Sequence, residues 1–218
     1  MATHRRRMPA AQRREVILAA AEDTFATFGY HGASLDEIAQ SAGISKALIY
    51  EHFDSKRELH ASLLHDHVAE IFERLKAGAD RGETGEDRLR SGIDAFLRFV
   101  EEHRGAWRTL FRDAADPEIT ELMSGVQAQA TRVIAGLIAA DPEVAPDPQT
   151  DPEERALRID MHATLLSGAV QSLANWWHEH QDVPRETLVD RAMEFCWHGV
   201  ERLPERLPER RPPVSAQH

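Results

Sequence analysis

Residues 34–59, SLDEIAQSAGISKALIYEHFDSKREL, hold the side chains whose types and spacing point to a definite chemistry. Ile49 and Phe53 are four apart and fall on one side of a short helix, with Ile38 and Ile44 placed to hold that side inward. The opposite side then presents Ser45, Lys46, Ala47 and Tyr50, a face of the kind that enters a DNA major groove. Leu48 falls toward the outside as well, where an apolar group can pack on thymine methyls. Other chemistries lack the pattern they need. The chain has 12 histidines, including His60, His65 and His67 and the pair flanking Glu179. No His follows a Glu by three residues, and neither HExxH nor a Cys/His zinc spacing occurs, so no metal and no cofactor is expected. With no G-x-S-x-G elbow, no phosphate loop and one cysteine, Cys196, inside an apolar helical stripe, catalysis is not expected either.

The elements that must position this face are helices. No proline interrupts the stretch from Ala10 to Asp116, and apolar residues recur there at three and four, as in Ile17, Ala20, Ala21, Phe25 and Phe28. Small Ala39 where two helices cross, and Gly43 where the chain turns, complete a helix-turn-helix. Ser34 with Glu37 and Ser55 with Glu58 fit the capping box, while Asp116-Pro117 and Asp151-Pro152 put a capping Asp before a first-turn proline. The pattern predicts an all-α chain of about nine helices, near 11–29, 34–41, 45–52, 55–77, 86–103, 105–114, 117–140, 153–180 and 184–203. The run DPEVAPDPQTDP over 141–152 holds four prolines and reads as an exposed connection. The last residues, 207–218, read as a disordered tail.

Composition narrows the class. The 218 residues are 42% hydrophobic and 29% charged, an ordinary globular balance. A mean hydropathy of -0.48, the lack of a long apolar run and a start without an apolar export segment predict a cytoplasmic protein with no membrane partner. The net charge of -11 is unevenly spread. Residues 1–60 carry eight basic and eight acidic side chains, whereas 61–218 carry 18 against 29, which suggests two parts with different partners.

The segment closely resembles the TetR family of bacterial transcriptional regulators. The resemblance rests on Ser34, Ile38, Ala39, Ala42, Gly43, Ile44, Ser45, Tyr50, Phe53, Lys56 and Leu59, preceded by Ala21, Phe25, Gly29 and Tyr30, and its motifs cover residues 10–60. It implies an N-terminal three-helix DNA-binding domain over 1–60 and an all-helical effector-binding and dimerisation domain over 61–206. It further implies that Ser34, Tyr50 and Lys56 hold phosphates and that Lys46 and Ala47 approach bases, Lys46 donating to guanine O6 and N7. His52, near the helix exit, is expected to reach a phosphate, and Arg5, Arg6 and Arg7 to enter the minor groove or neutralise phosphates. Glu51 departs from the expected charge, because phosphates repel an acid in a recognition helix.

The last two predicted helices are apolar around much of their circumference, as helices covered on two sides are. Gly168, Ala169, Ser172, Leu188, Ala192, Phe195, Cys196 and Gly199 are expected at a homodimer interface, the small residues permitting close approach. Phe96, Phe99, Trp107, Phe111, Met123, Met161, Leu165 and Trp176 are expected around an apolar effector cavity, with His162, Gln171 or Asn175 as polar fixtures. The resulting expectation is a homodimeric regulator, a repressor, bound to a palindromic double-stranded DNA operator and released by a small hydrophobic effector. The alternatives are a helical scaffold without sequence-specific DNA binding and a helical-bundle enzyme.

Overall fold

The computed structural model describes residues 9–107, 117–142 and 144–201. Arg5, Arg6, Arg7, Phe111, the segment 207–218 and most of the helix expected over 105–114 lie outside these residues, as do the side chain of Met123 and the surroundings of Gly199. Among the described residues every regular element is helical: α1 Ala10–Gly32, α2 Leu35–Ala42, α3 Lys46–Tyr50, α4 Lys56–Ala79, α5 Gly85–Glu102, α6 Arg104–Ala106, α7 Pro117–Ala140, α8 Pro152–Glu179 and α9 Arg185–Glu201.

Local signals place most helix ends. Ser34 and Glu37 form a reciprocal capping box on α2, and Gly43, at φ 65°, closes that helix in the left-handed conformation a side chain disfavours. Ser55 caps α4, but Glu58 reaches past it to accept from the Asp54 N–H at 2.5 Å, so the second expected capping box is only half made. Thr84 and Asp87 form an unforeseen box on α5, and Asp151 caps α8 ahead of Pro152. Two boundaries differ from expectation. Helix α1 reaches Gly32 across a break at Gly29 (φ 71°), which leaves Phe28 exposed rather than in the apolar stripe. Helix α3 ends at Tyr50, so His52 belongs to the following turn.

Among the described residues two apolar cores result. The first gathers Ile17, Phe25, Ile38, Ile49, Phe53, Leu59 and Leu64 from α1 to the start of α4. The second gathers Ile71, Leu97, Phe99, Trp107, Leu166, Trp177 and Met193 from the rest of α4 through α9. Helix α4 therefore contributes its first half to one core and its second half to the other. Truncating a side chain as buried as Phe25 (1% exposed) is expected to cost about 3–5 kcal/mol.

Candidate nucleic-acid interface and effector cavity

On α3 the inward pair is Ile49 and Phe53, at 0% and 2% exposure, and Tyr50 stands half exposed on the open side. Ser45 and Ala47 are exposed beside it, with Lys46 and Leu48 intermediate. The Ser45 hydroxyl accepts from the Leu48 N–H at 3.4 Å, and the Ser34 hydroxyl accepts from the Glu37 N–H and donates to the Glu37 carboxylate. Both hydroxyls thus serve helix caps in the free chain. Lys46 Nζ donates to Asp36 Oδ2 of α2 at 2.8 Å, and this bond first of all raises the lysine pKa. The pair is exposed, so solvent screens it and a duplex can compete for the ammonium.

Glu51, the acid that phosphates would repel, lies 3.6 Å from the Arg13 guanidinium of α1, which supplies a cationic partner beside it. Two expected phosphate ligands are placed differently. Lys56 Nζ donates to the carbonyls of Tyr30 (2.8 Å) and Ala33 (2.9 Å) and lies 4.6 Å from the centroid of the Tyr30 ring, so it stitches the start of α4 to the end of α1. The His52 Nε2 is buried without a hydrogen-bond partner, because the chain has left the helix and tucked the ring inward. The open face therefore brings together Ser45, Lys46, Ala47, Leu48 and Tyr50.

In the second core a cavity of about 270 Å³ opens between α4, α5, α7 and α8. Ile71, Leu75, Ile134, Leu166 and Val170 are among its apolar lining, and Phe96 and Trp107 meet edge to face at 5.6 Å along one side. The polar lining includes Gln127, Ser167 and Gln171, with Gln127 Nε2 donating to Ser167 Oγ at 3.0 Å. Near the C-terminal end of α4 the lining adds Lys76 and the ion pair of Arg88 with Asp141. Asn175 accepts from Trp107 Nε1 at 3.2 Å and so orients a lining ring without lining the cavity.

Several residues expected here lie elsewhere. Phe99 is fully buried on the side of α5 facing His67 and His103. On α8, Met161, Leu165 and Trp176 are 50%, 68% and 44% exposed, because the inward face of that helix is taken by Ala163, Leu166, Val170 and Ala174. The His162 Nδ1 sits 2.8 Å from the Arg158 carbonyl, one turn back. The lining contributed by α4 was missed in the sequence, and from α7 only Met123 was expected; the apolar periodicity of those helices is visible there, but not which neighbour they face.

The exposed residues of α8 form a line of their own: Leu157, Met161, Leu165, Gly168, Ser172 and Trp176, three or four apart, with Ala169 half buried beside it. Phe195 of α9 is 74% exposed. By contrast Leu188, Ala192 and Cys196, expected at an interface, are at most 6% exposed and already packed in their own core.

Residues 17–63 match the family model for bacterial regulatory proteins of the tetR family, and residues 86–199 match the tetracyclin repressor-like C-terminal domain. The chain belongs to the TetR family. It is accordingly a DNA-binding transcriptional regulator built on a helix-turn-helix domain and a ligand-responsive helical domain. It is 28% identical to the transcriptional activator FasR of Mycolicibacterium smegmatis over 91% of this chain and 87% of that protein. A TetR-like regulator from Rhodococcus sp. RHA1 matches with a TM-score of 0.71 at 26% identity, covering 88% of this chain and 98% of that one. The Bacillus subtilis regulator FadR, solved in complex with stearoyl-CoA, shares the fold with a TM-score of 0.72 at 17% identity, over 85% and 98% of the two chains. No helix among the described residues is long and apolar enough to cross a membrane.

Proposed function

We propose that the chain binds a palindromic operator as a homodimer and that an elongated apolar ligand with one polar end, of the acyl class, loosens that complex. The observation that carries the reading is the path of α4. Its first residues pack with the recognition helix, and its later ones, Ile71 to Ala79, line the cavity. A ligand that needs more room there than the DNA-bound form allows moves α4 and with it the recognition face, and only such differential binding can couple the sites. The aliphatic lining favours a chain-like occupant, and Lys76 with the Arg88–Asp141 pair offers a place for its polar end. The stearoyl-CoA held by the similarly folded FadR supports the same ligand class.

The second copy is expected on the line from Leu157 to Trp176 together with Phe195, since so many large apolar side chains in one row are unusual on a free surface. A two-fold dimer then presents two recognition faces to two half-sites. Regulation takes its sign from where the operator lies relative to the promoter, which a helix-turn-helix does not encode; FasR is an activator by name, and a repressor is the sign proposed here.

The test is operator selection from random duplexes, followed by titration of the selected complex with a panel of fatty acids and acyl-CoAs of increasing length. A coupling of about 1–3 kcal/mol releases operator by roughly 5- to 150-fold. Complexes indifferent to every chain length, with no quenching of Trp107, overturn the ligand class.

A further inference from the structure

Between the two cores lies a group of polar side chains that neither the DNA-binding face nor the cavity uses. Glu22 comes from α1, His67, Glu70 and Arg74 from α4, Glu102 from the end of α5, and His103 from the turn before α6. His103 Nδ1 donates to Glu22 Oε1 at 3.2 Å, and His67 Nε2 lies 3.4 Å from the same oxygen. His67 is 6% exposed, yet its Nε2 has no hydrogen-bond partner. A buried ring nitrogen aimed at a shared oxygen without a bond of its own calls for an explanation.

Cation coordination supplies one. A tetrahedral ion with bonds of ~2.0–2.1 Å holds its ligand atoms about 3.3–3.4 Å apart, close to both spacings onto Glu22 Oε1. The donor atoms of Glu22, His67 and His103 all lie within 4.8 Å of one another. Behind the rings, Glu70 Oε2 is 3.5 Å from His103 Nε2 and 4.0 Å from His67 Nδ1, the far nitrogen in each case. From there Glu70 is placed within a short side-chain movement of both far nitrogens, the position from which an outer carboxylate fixes the tautomer of metal-binding imidazoles. A rival grouping of Glu70, Glu102 and His103 is also compact, but Arg74 already neutralises its two carboxylates. The carboxylates of Glu22, Glu70 and Glu102 face one guanidinium, that of Arg74, an anionic excess that favours a cation.

We propose that Glu22, His67 and His103 bind one divalent transition cation of the zinc class, with Glu70 orienting both rings and a fourth position open to water. Two nitrogens and one oxygen suit zinc better than the all-oxygen preference of calcium or magnesium. The ion joins α1 to α4 and to the α5–α6 turn, where α6 already approaches α1 so closely that a Cβ at Gly105 would stand 2.7 Å from Ala26 Cβ. Phe99 packs on both imidazoles, and Phe96, one turn earlier on α5, lines the cavity. The cation therefore clamps the placement of the DNA-binding domain that an effector alters; this consequence rests on the function proposed above, whereas the binding site does not.

The full-length chain, stripped with a chelator, is titrated with Zn²⁺ against a chromophoric competitor. Wild type and a His178→Ala/His180→Ala control, which removes a surface histidine pair, are expected to take up one equivalent per chain. Glu70→Gln is expected to lose about 10- to 100-fold in affinity, and Glu22→Gln and His103→Gln more, with circular dichroism unchanged. Co²⁺-loaded wild type gives a readout that needs no variant: the intense visible bands of a four-coordinate site, abolished by excess Zn²⁺. Absence of stoichiometric binding, equal binding by Glu22→Gln and His103→Gln, or a weak six-coordinate Co²⁺ spectrum overturns the site. If variants misfold, the Co²⁺ spectrum decides. Stoichiometric Zn²⁺ with unchanged operator affinity overturns the clamp alone.

Discussion

Tyr50 and Lys56 stand six residues apart and are expected to fail in different ways. The half-exposed phenol of Tyr50 is free to meet a phosphate, so Tyr50→Phe is expected to weaken all duplexes alike, by about 3- to 10-fold, with unfolding unchanged. The Lys56 ammonium is committed to the Tyr30 and Ala33 carbonyls, so Lys56→Met is expected to lower stability to urea by about 1.5–3 kcal/mol. Retained stability in Lys56→Met, with DNA binding lost, would return that residue to the phosphates. Burial pushes the Cys196 thiol up from its usual range and shields it from solvent. A thiol reagent is expected to label it only as the chain unfolds; prompt labelling of the folded protein would show that α9 opens locally.

At the scale of helices, α8 and α9 separate packing inside one chain from packing between two. Ala192 sits in the monomer's own core, so a charge there is expected to unfold the chain rather than split a dimer. Leu165→Glu or Phe195→Asp places a charge on an exposed position and is expected to give folded monomers with weakened operator binding, read by sedimentation and circular dichroism. Dimers that survive both changes would move the interface elsewhere. The periodicity of α8 shows two apolar faces, but it does not show which one α7 and α9 cover.

Across the whole molecule, ligand response should be separable from DNA binding. Gly92 lines the cavity, and a Cβ there would meet only Leu75 Cδ2, at 4.0 Å. Gly92→Leu is expected to fill the space and abolish release by acyl ligands while leaving operator affinity within about twofold, since the helix gains propensity and loses no contact. A variant that still responds would place the effector elsewhere. Contacts to phosphates should also make operator affinity fall steeply with salt, despite the net charge of -11, because the near-neutral first 60 residues approach the duplex.

Contiguous spacing settled what depends on neighbours in sequence. The capping residues Ser34 and Ser55, the turn at Gly43 and the inward pair Ile49 and Phe53 are all fixed by separations of a few residues, so the helix-turn-helix and the all-helical class were legible in the sequence. Tertiary structure decided what depends on which distant surfaces meet. Lys56 finds its partners 26 and 23 residues back, Trp107 finds Asn175 across 68, and His103 finds Glu22 across 81. The histidines at 60, 65 and 67 look like a cluster in the sequence, yet the helix separates them: His65 turns to the surface, while His60 and His67, two turns apart on the inward face, meet Phe25 with Tyr30 and Glu22 respectively. Helical spacing fixes the direction of a side chain on its own helix, and only the packing of α1, α4 and the α5–α6 turn determines what that direction meets.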